Sequence, residues 1–297
     1  VSFSRAGGLG GQLVMRGFNS NDLKIPMSIN GERFRGRNTL EYNIIDPSRV
    51  EKIEVIRGPA AAIYGSESMA GMINIVTKKP KVSFDKEFTF KPIIQNMTYE
   101  SVNDLRGTRI EAEGSGYGFD VQFGASYKEA NDYETPEGKA LNSKFRTKSI
   151  DGSIGYSFNE NSRLGFNYKI SETETHRAGG LGGAPGTYAP LAQRVYMSER
   201  PIKEKYVGLT YEINPLIKGI EKIDASVYRR SLWTDVVTTK YPNPTSVNET
   251  HRYVVGPLMY GGKVNAITEE ILNTKFTAGV DFYLQDWEGA EQETKGT

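Results

Sequence analysis

The sequence feature that most constrains the fold of this chain is a period-two alternation of apolar and polar residues that begins after residue 80. Between residues 119 and 127 the odd positions are apolar or aromatic, and the even positions are polar or glycine. Residues 164–171 and 276–285 show closely similar patterns. Successive side chains of a strand point to opposite faces, so these segments predict strands with one apolar and one polar face.

About nine such strands are predicted, and their connections alternate between short and long. Antiparallel strands that cross a membrane, with tight turns on one side and long loops on the other, have this asymmetry. A soluble β-sandwich remains open on alternation alone. The predicted strands are residues 84–95, 103–113, 117–129, 147–158, 162–173, 203–213, 222–239, 256–268 and 274–287. The predicted turns are 114–116, 159–161, 214–221 and 269–273, and the predicted long loops are 130–146, 174–202 and 240–255.

Composition excludes several other classes of protein. Lys plus Arg number 37 and Asp plus Glu 36, so a net charge of +1 gives no overall field for nucleic acid. The absence of cysteine excludes disulfide frameworks and thiolate chemistry. No window of about 18 apolar residues occurs and the mean hydropathy is −0.50, so no membrane-spanning helix is predicted. Strands of a transmembrane barrel hide their apolar face in alternation.

The N-terminal 80 residues carry a more specific signal. Residues 53–59 read IEVIRGP, residues 63–66 read IYGS, and residues 70–79 read AGMINIVTKK. Upstream, residues 15–18 read MRGF and residues 29–31 read ING. In this order, the segments resemble the plug-domain signature of TonB-dependent outer-membrane receptors. Asn30 stands where that family usually has Asp, and both residues suit a turn with positive φ.

The motif residues also have a physical interpretation of their own. Gly58, Gly65 and Gly71 fit positions where the chain turns sharply or approaches another backbone, and Pro59 fixes φ just after a strand. Arg57 ends an otherwise apolar strand, so burial would require a carboxylate partner. Just upstream, residues 46–48 (DPS) can open a short helical turn.

The resemblance implies a mainly β fold with two parts. A small α/β plug domain, truncated at its N-terminus, would occupy residues 1–80, and the first antiparallel strands of a transmembrane β-barrel would occupy residues 81–297. In the family, arginines at these motif positions bridge the plug to the barrel wall, although ordinary solvated arginines remain open. The predicted plug-anchoring residues are Arg16, Gly17, Arg57, Gly58, Pro59, Gly65 and Gly71.

Nine strands are too few for a closed barrel of this kind. Large plugged transporters have about 22 strands, so the barrel predicted here is incomplete. An open hydrogen-bonding edge does not persist in lipid. We therefore expect this chain to be part of a longer receptor.

The function that the resemblance implies is active import across the outer membrane of a Gram-negative bacterium, driven by the periplasmic protein TonB. A ferric siderophore is the commonest cargo, and residues 35–38 (RGRN) resemble the catecholate siderophore and colicin receptor branch. Import of haem, vitamin B12 or a glycan remains open, as do an outer-membrane adhesin, a passive porin and a non-functional partial receptor. The predicted partners are TonB, outer-membrane lipid and the small-molecule ligand.

Arginines and tyrosines outside the motifs are the candidate ligand contacts, because they bind an anionic aromatic chelate by charge and stacking. Interface aromatics and loop packing explain them equally well. No catalytic motif, cofactor site, metal site or nucleic-acid partner is predicted, and His176 and His251 are expected to be ordinary loop histidines. The candidate ligand contacts are Arg35, Arg37, Tyr188, Arg194, Tyr196, Tyr241 and Arg252.

Overall fold

A computed structural model describes residues 2–6, 9–19, 25–35, 45–57, 68, 70–136, 138–178, 194–215, 217–241 and 249–295. In these residues the chain forms β-strands and one 3-10 helix, Pro47–Arg49. Among the described residues, no helix is long and apolar enough to cross a membrane. The fold is therefore built from strands, as the alternation predicted.

The first 80 residues, here called the N-terminal unit, contain two small sheets. One is antiparallel with the strand order β1-β2-β3, and the other has the order β5-β4-β7-β6 with β4 parallel to β7. The strands are β1 Ser2–Ala6, β2 Gly10–Met15, β3 Phe18–Asn19, β4 Met27–Ile29, β5 Glu32–Phe34, β6 Val50–Arg57 and β7 Gly71–Thr77.

Two tight turns in the N-terminal unit have positive φ at both of their central residues. Arg16 and Gly17 connect β2 to β3 with φ of 52° and 80°, and Asn30 and Gly31 connect β4 to β5 with φ of 53° and 77°. A two-residue turn with positive φ at both positions favours Asn and Gly. The turn predicted at Asn30 is confirmed.

The predicted helical turn before β6 is also confirmed. Asp46 precedes the 3-10 helix, and its Oδ1 accepts hydrogen bonds from the Ser48 backbone N–H at 3.0 Å and from the Ser48 hydroxyl at 2.7 Å. This cap satisfies a backbone donor that the short helix leaves free. It also fixes the direction in which the side chains of Asp46 and Arg49 project from the backbone.

The nine predicted strands form one antiparallel sheet, here called the wall sheet, in which each strand pairs with its neighbours in the sequence. A two-stranded hairpin of β11 Glu134–Thr135 and β12 Gly138–Lys139 lies in the connection between β10 and β13. The wall strands are β8 Thr89–Glu100, β9 Leu105–Gly116, β10 Phe119–Ala130, β13 Phe145–Asn159, β14 Ser162–Ala178, β15 Arg194–Ile213, β16 Ile220–Tyr241, β17 Glu249–Thr268 and β18 Thr277–Lys295.

Most of the wall strands run beyond their predicted ends. The connection predicted at residues 174–202 covers 179–193, because β14 and β15 continue to pair through polar residues that no longer alternate with apolar ones. The turn predicted at residues 114–116 lies instead at Tyr117 and Gly118, with φ of 54° and 79°. The small and polar residues before it extend β9, where Ser115 pairs with Asp120.

The two faces of the wall sheet are inverted relative to those of a soluble protein. Its outward face exposes large apolar side chains, and its inward face buries polar and charged ones. An apolar outer band with a polar interior is the arrangement of strands that contact lipid. Outward residues include Ile110, Phe123, Ile150, Ile154, Phe166, Leu209 and Val227, and buried inward residues include Asp120, Gln122, Asp151, Ser153, Glu204 and Arg230.

The N-terminal unit packs against the inward face of the wall sheet. Its apolar core includes Ile202 of β15 and Leu232 of β16, which pack with the unit's own residues Met15, Ile25, Met27, Phe34, Ala70, Ile73 and Ile75.

The last strand of the unit ends at Thr77 and the wall begins at Thr89. The domain boundary at residue 80 stays a prediction.

We expect Gly71→Ala to destabilise the N-terminal unit by about 3 kcal/mol, through backbone strain and overpacking. Gly71 has a φ of 135°, and an added Cβ would overlap the Ile56 carbonyl oxygen and lie 2.7 Å from Met15 Sδ. Gly17→Ala is the matched control, because Gly17 has a φ of 80° but nothing within 4 Å of an added Cβ. Limited proteolysis in a urea series would measure both. Equal losses of stability in Gly71→Ala and Gly17→Ala would show that the close contact with Ile56 has no effect.

Candidate functional site

Charged side chains fill much of the contact between the N-terminal unit and the wall sheet. Two arginines of the wall, Arg109 on β9 and Arg230 on β16, are only 1% and 2% exposed. A buried charge is costly unless ion pairs and hydrogen bonds replace its water. The partners of these two arginines therefore define how the unit is held.

The first group, here called the Arg109 cluster, consists of Asp46, Arg49, Arg109, Glu111 and Asp151. The Arg109 guanidinium donates two hydrogen bonds to Asp151, at 2.8 and 2.9 Å, and two to Glu111 Oε2, at 2.9 and 2.7 Å. Bidentate pairs of this kind are among the strongest ion pairs in proteins. They fix the guanidinium plane on the inward face of the wall.

The N-terminal unit contributes Asp46 and Arg49 to this cluster from the cap and the end of its 3-10 helix. Asp46 Oδ2 lies 3.4 Å from Arg109 Nη1. Arg49 Nε lies 3.3 Å from Asp151, and its Nη1 lies 3.5 Å from Glu111. Each charge of the unit thus meets an opposite charge of the wall.

The pKa of Asp46 shows that this carboxylate is stabilised in its ionised form. Burial raises the pKa, but hydrogen bonds from Ser48 and the nearby Arg109 charge outweigh it and hold the pKa below its ordinary value of 3.8. A carboxylate stabilised in this way favours folding above that value. Asp46 is therefore charged in the contact at neutral pH.

The second group, here called the Arg230 cluster, consists of Glu32, Phe34, Glu204, Tyr206 and Arg230. The Arg230 guanidinium pairs with Glu204 and lies between two rings, 4.9 Å from the Phe34 centroid and 4.4 Å from the Tyr206 centroid. Its Nη2 is 3.9 Å from Glu32 Oε2. Strand β5 of the unit is therefore held by one arginine through both charge and ring contact.

Glu32 responds differently from Asp46 to its surroundings. Burial raises its pKa above the ordinary value of 4.5, although the Arg230 charge opposes this. The difference follows from burial, because the Glu32 side chain is 3% exposed and that of Asp46 18%, so desolvation of Glu32 outweighs the Arg230 charge and the hydrogen bonds from Tyr206 and Ser226. The carboxylates that the unit contributes to the two clusters, Asp46 and Glu32, therefore respond to pH in opposite directions.

A third contact holds the turn between β4 and β5. Lys263 Nζ of β17 donates a hydrogen bond to the Asn30 carbonyl oxygen at 3.0 Å. Arg33 lies 3.6 Å from Asp281 of β18, and its guanidinium is 4.3 Å from the centroid of the Tyr283 ring. The predicted Asn30-Gly31 turn thus also serves as a contact point with the wall.

A polar cavity of about 590 Å³ lies between the N-terminal unit and the wall sheet, toward the short-turn ends of the wall strands. Ser28 and Asn74 line it from the unit, and Arg163, Glu212 and Asp224 are among its wall residues. Its lining carries charges of both signs. Water or a polar solute can therefore occupy it without loss of hydrogen bonds.

The structure places the predicted anchoring arginines away from these clusters. Arg16 lies at the tip of the β2–β3 turn and Arg57 at the end of β6, and both side chains are exposed. Neither forms an ion pair with another described residue. Gly58, Pro59 and Gly65 lie outside the described residues, so the anchoring role of this set stays a prediction.

Four of the candidate ligand contacts lie at the long-loop end of β15, β16 and β17. Arg194 pairs in register with Tyr241, and Tyr196 follows two residues later. Arg252 is exposed on the face that Tyr260 and Val264 share, and its guanidinium donates two hydrogen bonds to Asp235. Arg35 is half-buried beside β5, and Arg37 and Tyr188 lie outside the described residues. Ligand binding by this set stays a prediction.

Sequence reasoning missed the charges that hold the unit. Residues 46–48 were expected only to open a helical turn, although Arg49 follows directly. Arg109 and Glu111 occupy the same face of a predicted strand, opposite Ile110, and this pattern was the signal that could have found them. Where the N-terminal unit packs against the polar face of such a strand it displaces water, so the charges that are buried there need partners.

A double-mutant cycle on Arg49→Gln and Asp151→Asn tests the Arg109 cluster. Each single substitution leaves a buried charge with one partner fewer, so we expect a coupling energy of about 1–3 kcal/mol in the free energy that holds the unit against the wall. Protease release of the unit in a urea series measures it. The exposed pair Lys275 and Glu221 is the matched control, for which about 0–1 kcal/mol is expected. Coupling no larger than the control would contradict a role in docking.

The opposite pKa directions of Asp46 and Glu32 predict opposite effects of pH. The contribution of Asp46 is present above its ordinary value of 3.8 and is lost as pH falls through its lower folded pKa. The contribution of Glu32 is present below 4.5 and is lost as pH rises through its raised folded pKa. Asp46→Asn should flatten the acid side of the stability profile, and Glu32→Gln should flatten the side above pH 4.5. Parallel profiles for both variants would refute the assignment.

Comparison with known proteins agrees with this architecture. Residues 1–72 match the family model of the TonB-dependent receptor plug domain. The vitamin B12 transporter BtuB of Vibrio vulnificus is 28% identical over 163 residues, which cover 54% of this chain and 26% of that protein. The ferric enterobactin receptor PirA of Pseudomonas aeruginosa is 37% identical over 81 residues, which cover 23% of this chain and 11% of that receptor.

Solved structures show the same fold across nearly the whole chain. The copper transporter OprC superimposes with a TM-score of 0.77 at 19% identity, covering 98% of this chain and 42% of that one. This chain spans about a quarter of the length of the B12 transporter that it matches. Residues 1–72 thus match the plug-domain family of TonB-dependent receptors, and the chain as a whole is similar to outer-membrane receptors and transporters with a plugged-barrel fold.

Proposed function

We propose that the protein imports a scarce ligand across the outer membrane by a TonB-driven movement of its plug. The observation that carries this proposal is the ionic character of the contact between plug and wall. The Arg109 and Arg230 clusters hold the plug by charges and hydrogen bonds. Water can replace these polar partners when the plug moves. External loops bind the ligand, and the chain itself performs no chemistry on it.

An ionic contact suits a plug that must both block the barrel and move. When charged groups separate, water can solvate each of them, whereas separated apolar faces would remain exposed at a penalty of about 25 cal/mol per Å². The free energy lost on release is therefore smaller than for an apolar contact of equal area. Ile202 and Leu232 of the wall add a limited apolar part to the contact.

The polar cavity supports a route for the ligand between the plug and the wall. Its volume of about 590 Å³ lies between the β4 and β7 region of the plug and the wall strands from β13 to β18. Small displacements of the plug would enlarge a space that is already lined by polar groups. We propose that the ligand leaves the barrel on this side.

A ferric siderophore is the cargo that we propose first. Arginine and tyrosine candidates lie at the long-loop end, where charge and stacking suit an anionic aromatic chelate. PirA, a ferric enterobactin receptor, is similar over 81 residues. Residues 1–80 contain no histidine, which disfavours haem, because an iron porphyrin is commonly held by an imidazole.

Vitamin B12 is the second candidate. The match to the B12 transporter extends over 163 residues, which is more than twice the length of the plug match. The similarity therefore extends into the wall strands. The two cargoes differ in charge and in metal, so growth assays can separate them.

Growth on single ligands tests the function. The gene product is expressed in a host that lacks its own siderophore and B12 receptors, with TonB present or deleted. We expect growth on ferric catecholate siderophore as the sole iron source, and at least a tenfold loss of growth yield without TonB. Growth on B12 alone would instead select the second cargo. TonB-independent uptake would indicate a passive porin, and absence of uptake of every ligand from a folded receptor would refute import.

A further inference from the structure

The polar cavity between the N-terminal unit and the wall sheet has an excess of positive charge in its lining. Among the described residues, eight lysines and arginines line it, against four aspartates and glutamates. A cleft with an excess of one charge and low-dielectric walls concentrates ions of the opposite charge. The ion pairs of these residues determine how much of the excess is available to a solute.

Three of the cations are paired one-to-one with carboxylates of the same lining. Each of these pairs joins opposite charges within the cavity wall, so it adds no net charge to the cavity. The pairs are Lys52 with Glu54 at 2.7 Å, Arg33 with Asp281 at 3.6 Å, and Lys263 with Asp224 at 3.9 Å.

Two arginines of the lining are neutralised by carboxylates that lie behind it. Arg163 donates two hydrogen bonds to Asp120, at 2.8 and 2.6 Å, and Asp120 is fully buried. Arg49 lies 3.3 Å from Asp151 in the Arg109 cluster. Neither guanidinium therefore accounts for the charge that remains.

The remaining cations are Lys78, Lys79 and Lys222, here called the lysine triad, and the remaining carboxylate is Glu212. The ammonium groups of Lys79 and Lys222 both pair with Glu212, the second at 2.8 Å. Lys78 forms no ion pair with a described residue. One carboxylate thus serves three cations, which leaves a local excess of positive charge at the short-turn side of the cavity.

The excess extends into a second cavity, of about 470 Å³, which shares two lysines of the triad with the first. In its described lining, four lysines face two glutamates. The lysines are Lys78, Lys79, Lys81 and Lys91, and the glutamates are Glu51 and Glu113. The positive charge therefore surrounds the segment that connects β7 to β8.

A buried hydroxyl group also lines the polar cavity. Ser153 of β13 is 5% exposed, and its Oγ forms no hydrogen bond with a described residue. A buried polar group without a partner is costly unless water or a ligand supplies one. Asn167 and Thr210 line the same wall on the two following strands. Neutral donors therefore accompany the lysines.

We propose that the lysine triad binds an anionic group of the imported ligand, such as the phenolate or carboxylate oxygens of a ferric chelate. Lysine binds such oxygens as a point charge. Lys79 and Lys222 are 54% and 35% exposed, so an anion replaces Glu212 at small cost. This inference rests on the proposed import function and names the charge of its cargo. It selects a ferric siderophore over cyanocobalamin, which has no net charge.

The lysine triad is divided between the two parts of the protein. Lys78 and Lys79 belong to the N-terminal unit, and Lys222 belongs to β16 of the wall. Coulomb attraction falls with distance and with the entry of water, so an anion that bridges the two parts is held less tightly once they separate. Movement of the plug therefore releases the ligand toward the short-turn side.

The first test measures binding of inorganic pyrophosphate to the purified receptor by isothermal titration calorimetry. Pyrophosphate is small and multiply charged, so it probes the triad without contacts from the rest of a siderophore. The test variant is Lys79→Gln with Lys222→Gln. Lys218→Gln with Lys275→Gln is the matched control, because these two cations lie at the short-turn end but outside the cavity lining. Heat-modifiable migration on a gel shows which variants are folded.

We expect the test variant to bind pyrophosphate about fivefold more weakly than the control, because it loses two ionic contacts. Glu212→Gln removes the competing carboxylate, so it should bind about threefold more tightly than the wild type, a gain that a purely structural role would not produce. Absence of binding to the wild type, or equal affinities of the test and control variants, would overturn the proposal. Binding through the triad by a receptor that imports no ligand would contradict the proposed function alone.

The second test measures uptake of a ferric catecholate siderophore by cells that express each variant. We expect uptake by the test variant to be about fivefold slower than by the control, with the affinity for ligand at the cell surface unchanged, because the external loops lie at the other end of the wall. Affinity is measured in cells without TonB. Equal uptake rates would overturn the assignment of the triad to the imported ligand.

Discussion

The structure depends on the neutralisation of Arg109 inside the barrel wall. This side chain projects from a strand whose other face meets lipid, and it is almost entirely buried. Glu111 and Asp151 of the wall satisfy most of its hydrogen bonds, and Asp46 of the plug adds a third carboxylate. With Arg49, the plug also contributes a cation to the same carboxylates. The position of the plug is thus set by ion pairs in which each plug charge lies against an opposite charge of the wall.

Arg230, the second buried arginine of the wall, helps to set the position of another part of the plug. Arg230 contacts β5, whereas Arg109 contacts the 3-10 helix before β6, so two separated points define the orientation of the plug sheet. Lys263 and Arg33 add a third point at the β4–β5 turn. Three ionic contacts resist tilting as well as translation. They are also reversible, because water can replace each partner.

Local sequence patterns predicted the strands and turns well, since these features depend on neighbouring residues. Alternation indicated the nine wall strands, and the Asn30-Gly31 pair indicated a turn with positive φ. The ionic partners could not be predicted in the same way. Arg49 and Asp151 are about 100 residues apart, and their contact depends on strand register and on plug orientation together. Arg16 and Arg57 were selected by family resemblance, and the described residues place other side chains at the plug contact.

The length of the last four wall strands determines how far the wall extends beyond the membrane. Strands β15 to β18 contain 20, 22, 20 and 19 residues. A tilted strand needs only about 9–11 residues to cross the hydrocarbon, so each of these has roughly ten in excess. At about 3.3 Å per residue, that excess lifts the rim of the wall by some tens of ångströms. The rim of the wall is therefore stiff, because β15 to β18 stay hydrogen-bonded to one another along nearly their whole length.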